Sequence, residues 1–232
     1  MKTKIHSILI VITLTFLALL PQAQAVSPVP DGCYPGFTTA EGCNALNLLT
    51  NGAGNTGVGW YSLYVNTSGS YNTGLGAGAL VLNHADSNTA VGAAALLLNT
   101  TGNTNTAVGT DALVHNTTGN GNAAFGSNAL FSNSTSVANP AVGAEALASM
   151  TTATANTAIG NSALDNLTTG SFNIVVGQGG ANITTASGVD GMNVSNTTWI
   201  GNVYGVTTQN GITSPVIASY AILHSLFSMS AS

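Results

Sequence analysis

The phrase N-T-A-V-G and its variants recur along this chain at a nearly fixed interval, and the interval constrains the fold more than any single residue does. Its asparagine falls at Asn55, Asn72, Asn88, Asn105, Asn122, Asn139, Asn156 and Asn173, with a spacing of 17 residues broken by one step of 16. A glycine follows four residues later each time, at Gly59, Gly76, Gly92, Gly109, Gly126, Gly143, Gly160 and Gly177. The consensus is N-T-A-V-G-x-x-A-L-x-x-N-T-T-G-x-x, and a degenerate copy precedes it, because Gly42 and Ala45-Leu46 keep register with Gly59 and Ser62-Leu63. About nine units therefore run from Thr38 to roughly Gly188. A unit this short cannot bury its apolar residues alone, so the pattern predicts a stack in which each unit is one coil.

Two stations of the unit are consistently aliphatic. One holds Val58, Leu75, Val91, Val108, Phe125, Val142, Ile159 and Val176; the other holds Leu63, Leu80, Leu96, Leu113, Leu130, Leu147 and Leu164, usually after a small Ala. Stacking like on like predicts two aliphatic ladders facing each other across a thin interior. Alternation within N-T-A-V puts Asn and Ala on one face and Thr and Val on the other, as a strand requires. The asparagine can hydrogen-bond to the coils above and below, and the glycine admits a positive φ for a sharp turn. Asn-Thr-Thr-Gly, as in Asn116 to Gly119, supplies a second polar turn. The stretch Gly59 to Asn66 has the length for a second strand or a helical turn, and its Ala and Leu favour the turn. The expected fold is a mainly β repeat solenoid, a rod on the order of 40 Å long at about 4.8 Å per coil.

The ends of the chain read differently. Lys2 and Lys4 precede an apolar run from Ile8 to Leu20, and Ala23-Gln24-Ala25 follows as a cleavage site, so residues 1–25 read as a signal peptide. Residues 26–37 form an N-terminal cap segment, 38–188 the repeat solenoid, 189–217 a C-terminal linker or cap, and 218–232 an apolar tail; Ile217 at its edge and Tyr220, Leu223, Leu226 and Phe227 within it fall near helical spacing. The expected location is outside the cell or on its surface. The two lysines are the only Lys or Arg residues, so nothing cationic remains beyond the signal except histidine. Phosphate backbones and anionic membranes are poor partners for such a chain. Cys33 and Cys43, in an exported chain, read as a structural disulfide closing a small loop; two thiols without a nearby histidine make a poor zinc site.

No catalytic, cofactor or metal site emerges, and a small-molecule substrate is not expected. "GLGAGAL" at 74–80 imitates a dinucleotide loop, but Gly76 belongs to the repeat and no lysine or acid supports it. Asp111 and Glu145 share a station two coils apart, on the order of 10 Å by coil spacing, and read as solvated acids. His84 and His115 read as lone surface histidines, and the N-x-S/T sequons arise from the repeat itself. Trp60, Tyr61, Tyr64 and Tyr71 gather in one unit, either as a platform for a sugar or protein, or as a hydrophobic cap on the open end of the stack. Val81-Leu82, Leu97-Leu98 and Phe131 lie outside the two ladders, and the low charge favours their use in self-association.

N-T-A-V-G-x-x-A-L resembles the head repeats of trimeric autotransporter adhesins, S-V-A-I-G-x-x-A. It is closer still to N-T-A-V-G-x-x-A-L-x-x-N-T-T-G arrays of bacterial and phage tail-fibre-like surface proteins. "DGCYPGFTTAEGCNALNLLTNGAGNTGVGWYSL" is similar to the start of such arrays, and "TTWIGNVYGVTTQNGITSPVI" to the linker after them. The resemblance implies a β-roll that associates, as a homotrimer, into a surface fibre with a glycan or protein receptor. Related proteins continue into a self-cleaving chaperone domain with a Ser-Lys pair; "VIASYAILHSLFSMSAS" has no such motif, so that activity is not carried over. The function expected is a non-enzymatic exported fibre, stalk or adhesin-like head. The alternative is an ice- or polysaccharide-binding solenoid, built on the rank Thr56, Thr73, Thr89, Thr106 and Thr157, which Ala123, Pro140 and Ile174 interrupt. A hydrolase is disfavoured, because no nucleophile, base or metal cluster is assembled.

Overall fold

A computed structural model describes residues 36–177 and 195–200. The signal segment, Cys33 and the apolar tail lie outside what is described. Ten short strands follow in chain order: β1 (Thr39–Glu41), β2 (Thr56–Val58), β3 (Thr73–Leu75), β4 (Thr89–Val91), β5 (Thr106–Val108), β6 (Ala123–Phe125), β7 (Pro140–Val142), β8 (Thr157–Ile159), β9 (Ile174–Val176) and β10 (Thr198–Ile200). They form one parallel sheet in which spatial order equals sequence order. The chain is thus a parallel β-solenoid, each strand hydrogen-bonded to the equivalent strand one coil on. Thr89, Ala90 and Val91 pair with Thr106, Ala107 and Val108, for example. The degenerate first unit takes its place, Glu41 opposite Val58. The sheet also reaches past residue 188, because Thr198–Ile200 pairs with β9.

The 16-residue step leaves the sheet undisturbed. Thr73 still pairs with Thr89, because the missing residue comes out of the second turn, where Asn83-His84-Ala85 stands in place of Asn-Thr-Thr-Gly.

Side-chain direction overturns one expectation. The valine ladder does not face the leucines. In each of β1 to β9 the central residue is buried and its neighbours point outward. Ala90, Ala107, Ala124, Ala141, Ala158 and Val175 are fully enclosed, whereas Leu75, Phe125, Val142 and Ile159 are 42–47% exposed. Strand parity decides this: once Asn at the first station is inside, the third station is inside and the fourth is not. The interior is correspondingly narrow, with Ala107 on one wall and Ala112-Leu113 on the other, repeated coil after coil. Each enclosed leucine contributes about 2 kcal/mol of burial.

The second segment is neither a strand nor a regular helical turn. From Gly92 to Asn99 the backbone runs through linked turns, Ala95 N–H to Gly92 O, Leu97 N–H to Ala94 O and Asn99 N–H to Leu96 O. Ala94 and Leu96 adopt φ of 55° and 51°, a left-handed conformation costing about 1–2 kcal/mol per non-glycine residue. Hydrogen bonds to both neighbouring coils hold them there, Ala94 N–H to Ala77 O (2.9 Å) and Leu96 N–H to Ala112 O (3.0 Å). The result turns Ala95 and Leu96 inward side by side. Among the described residues no helix is long and apolar enough to cross a membrane.

The glycine after the strand is required twice over. Gly109 has φ of 141°, and a Cβ on it would lie 2.5 Å from the carbonyl carbon and oxygen of Gly126. Successive coils touch backbone to backbone at this corner, which no side chain can enter.

Candidate functional site

Charge-free burial of polar groups is the organising device of the interior. The asparagine at the first station is fully buried in coil after coil: Asn55, Asn72, Asn88, Asn105, Asn139 and Asn156 are at 0% exposure and Asn122 at 1%. Asn105 shows how each is satisfied. Its Nδ2 donates to Gly119 O within its own coil (2.8 Å), and its Oδ1 accepts the backbone N–H of Asn122 in the next (2.9 Å). Seven such Oδ1-to-backbone links join Asn55 to Asn173. The column continues into the tenth strand's approach, where Thr197 N–H donates to Asn173 Oδ1 (3.0 Å).

A second asparagine column, not anticipated from the sequence, runs through the Asn-Thr-Thr-Gly turn. Asn66, Asn83, Asn99, Asn116 and Asn133 are fully buried. Their amides stack side chain to side chain, each Nδ2 donating to the preceding Oδ1 at 3.3, 2.7, 2.7 and 2.6 Å. The column stops where Met150 takes the next place, and Asn133 Oδ1 is left buried without a partner. The signal was present in the sequence: the same station holds Leu49, Met150 and Leu167 in other units, an exchange only an interior position makes.

Among the described residues, no group of three or more His, Cys, Asp or Glu side chains is placed to hold a metal. Asp111 and Glu145 sit at turn corners with φ of 56° and 60°, and Glu145 accepts only a long contact from Ser162 Oγ (3.4 Å). His84 and His115 are exposed, the latter edge-on to Phe131. Cys43 is exposed on the first coil, and its expected partner Cys33 lies outside the described residues. Of the sequon asparagines, Asn66, Asn99, Asn116 and Asn133 are column members closed to solvent, whereas Asn166 and Asn196 are exposed.

Two surfaces remain. The first is the outer face of the sheet, a strip two residues wide carrying the outward Thr and Val stations from Thr56 to Val176 without a charged residue. Its exposed members include Leu75, Phe125, Pro140, Val142, Ile159 and Ile174. The stations expected to form a contact seam are more enclosed than this strip: Val81, Leu82, Leu97, Leu98 and Phe131 are half-buried and Val114 is buried.

The second surface is aromatic. Trp60, Tyr61 and Tyr64 lie ring to ring on the second coil, with centroids 4.3 and 4.6 Å apart and successive tilts of 56° and 46°. They do not form the outermost layer, because the first coil stacks beyond them, with Tyr61 N–H bonded to Cys43 O and Leu48 N–H to Tyr64 O. Tyr71 is not part of the cluster. It stands at the corner before Asn72, 70% exposed, its ring covering the place a Cβ on Gly54 would take. No protein-family model, no curated protein and no solved structure matches this chain, and its functional reading rests on the geometry.

Proposed function

We propose that this chain is a non-enzymatic, exported structural rod that serves at the cell surface or beyond it as a fibre segment, stalk or adhesin-like head. The observation that carries the reading is the pair of buried asparagine columns, which tie coil to coil from Asn55 to Asn173 and from Asn66 to Asn133 and spend the interior on rigidity rather than on a cavity. An interior filled by Ala, Leu and hydrogen-bonded amides leaves little room for a substrate, and the lack of Lys and Arg after Lys4 makes nucleic acid a poor partner. The uncharged outer strip of the sheet supports self-association, including the homotrimer implied by the repeat resemblance.

Two measurements test this. Light scattering and small-angle scattering of the chain without residues 1–25 are expected to report an elongated particle, with a mass above that of one protomer where the strip is a contact. Protease shaving of intact producing cells is expected to reach the rod. A compact particle that stays inside the cell would overturn the proposal.

The outer strip also favours a second reading, a solenoid that binds ice or a flat polysaccharide. Thr56, Thr73, Thr89, Thr106 and Thr157 all point outward at coil spacing, and Ala123, Pro140 and Ile174 break the rank. Thermal hysteresis at millimolar protein would favour this reading over the rod.

A further inference from the structure

The repeat supplies its own control for what the fold needs at each station. The place of Trp60 is taken in other coils by Cys43, Ala77, Ala93, Thr110, Ser127, Ala144 and Asn161. Stacking therefore requires nothing large there, yet the second coil carries an indole that is 60% exposed. Tyr61 likewise stands where Gly78, Ala94 and Asp111 stand in later coils, and it holds a left-handed φ of 55° to do so. Neither the Trp60 indole N–H nor the Tyr61 or Tyr64 hydroxyl is hydrogen-bonded to another described residue. Trp60 thus presents its ring to solvent, with the half-buried Tyr61 and Tyr64 rings packed beside it and their hydroxyls unengaged.

Their surroundings are as specific. Coil-to-coil register sets the exposed Asn44 and Asn47 of the first coil beside Tyr61 and Tyr64, and neither amide is engaged by a described residue. On the other side the third coil offers the small Ala77 and Gly78, with Val81 in register with Tyr64; Gly78 N–H is bonded to Trp60 O (2.8 Å). Aromatic faces flanked by free amides and a low shelf match a pyranose ring, which has apolar C–H faces and a rim of hydroxyls. The centroid spacing is shorter than one sugar repeat, so the cluster takes one or two residues. Tilts of 56° and 46° suit a single twisting chain rather than a flat crystal. Charge selects further. Glu41 in the first coil is the acid nearest in sequence, and no Lys or Arg follows Lys4, so a uronate or sulfate finds no cation here.

We propose that Trp60, Tyr61 and Tyr64, with Asn44 and Asn47, form a binding site for neutral pyranose glycans on the side wall of the rod. The proposal deepens the adhesin-like reading above by naming its ligand class. The test is native affinity electrophoresis of the full chain in gels containing galactomannan, xyloglucan or mixed-linkage β-glucan, against alginate and hyaluronan. At least one neutral polymer is expected to retard the wild type and neither acidic one. Trp60→Ala is expected to weaken retardation about tenfold, and the double variant N44A/N47A to weaken it with the rings intact. Both alter exposed stations, and an unchanged urea midpoint certifies the fold. Absence of retardation by all three neutral polymers, equal retardation of Trp60→Ala, or preference for the acidic polymers would each overturn the assignment. Any of these leaves the rod itself standing, since scattering and shaving test that separately.

Discussion

Gly119 offers the sharpest test of the second asparagine column. Its φ is ordinary, so the backbone alone does not exclude a side chain. A Cβ there would instead lie 2.4 Å from Asn116 Oδ1 and from Ser136 O, and 3.0 Å from Asn133 Nδ2. The contact with the next coil's carbonyl is survivable, because Ser136 and Ala153 carry a Cβ at the same station. The conflict with Asn116 costs more: where Ser136 puts a Cβ three residues after Asn133, that asparagine's Oδ1 is left without a partner, whereas Asn116 is held by Nδ2 bonds to Asn99 Oδ1 and Gly119 O and by the bond its Oδ1 accepts from Asn133. Overpacking costs about 1–3 kcal/mol and displaced buried hydrogen bonds about 1 kcal/mol each, so Gly119→Ala is expected to lose roughly 3–5 kcal/mol. Asn116→Met alone orphans Asn99 Oδ1 and Asn133 Nδ2 and is expected to cost about 2–4 kcal/mol. The double variant N116M/G119A copies the natural Met150–Ala153 pair. With the amide gone the steric conflict goes too, and the double is expected to fall short of the summed losses by about 2 kcal/mol. Urea titration followed by far-UV circular dichroism, with equal m values across the four proteins, measures the cycle. Additivity within about 0.5 kcal/mol would refute the reasoning.

Three further contrasts probe the same architecture. Gly109→Ala meets Gly126 backbone at 2.5 Å and is expected to abolish folding, as judged by soluble yield and dichroism. Gly121→Ala, with φ of 64° and nothing within 4 Å, is expected to cost at most about 1–2 kcal/mol in the same titration. Ala107→Leu places volume in the closed interior and is expected to lose about 3 kcal/mol or more, whereas Val108→Thr on the outer strip is expected to lose under about 1 kcal/mol; reversed magnitudes would restore the valine-inside arrangement. Asn133→Leu moves the unpartnered buried oxygen from Asn133 to Asn116 without adding one, so its melting point is expected to sit well above that of Asn116→Leu, which orphans two groups.

The period, the parallel stack and the turn glycines were all legible, because each is a one-dimensional pattern and the fold is nearly one-dimensional. What misled was reading hydrophobicity station by station. Val91 and Val108 are more apolar than Ala90 and Ala107, yet three-residue strands leave side-chain direction to parity, and parity follows Asn88 and Asn105. Asn116 was legible as a turn residue and not as an interior one, because the usual cost of burying an amide holds only when no partner exists. Here an identical amide waits 17 residues on, and Asn133 Nδ2 reaches Asn116 Oδ1 at 2.6 Å. The aromatic cluster was visible as composition, but its place was not. Ring contacts join Trp60, Tyr61 and Tyr64 through a run of turns whose left-handed Tyr61 and Leu63 no propensity scale anticipates, and the same geometry sends Tyr71 to another corner. A repeat is thus best read by its exceptions. Met150 among asparagines marks an interior column, and Trp60 among alanines marks a surface that stacking alone does not explain.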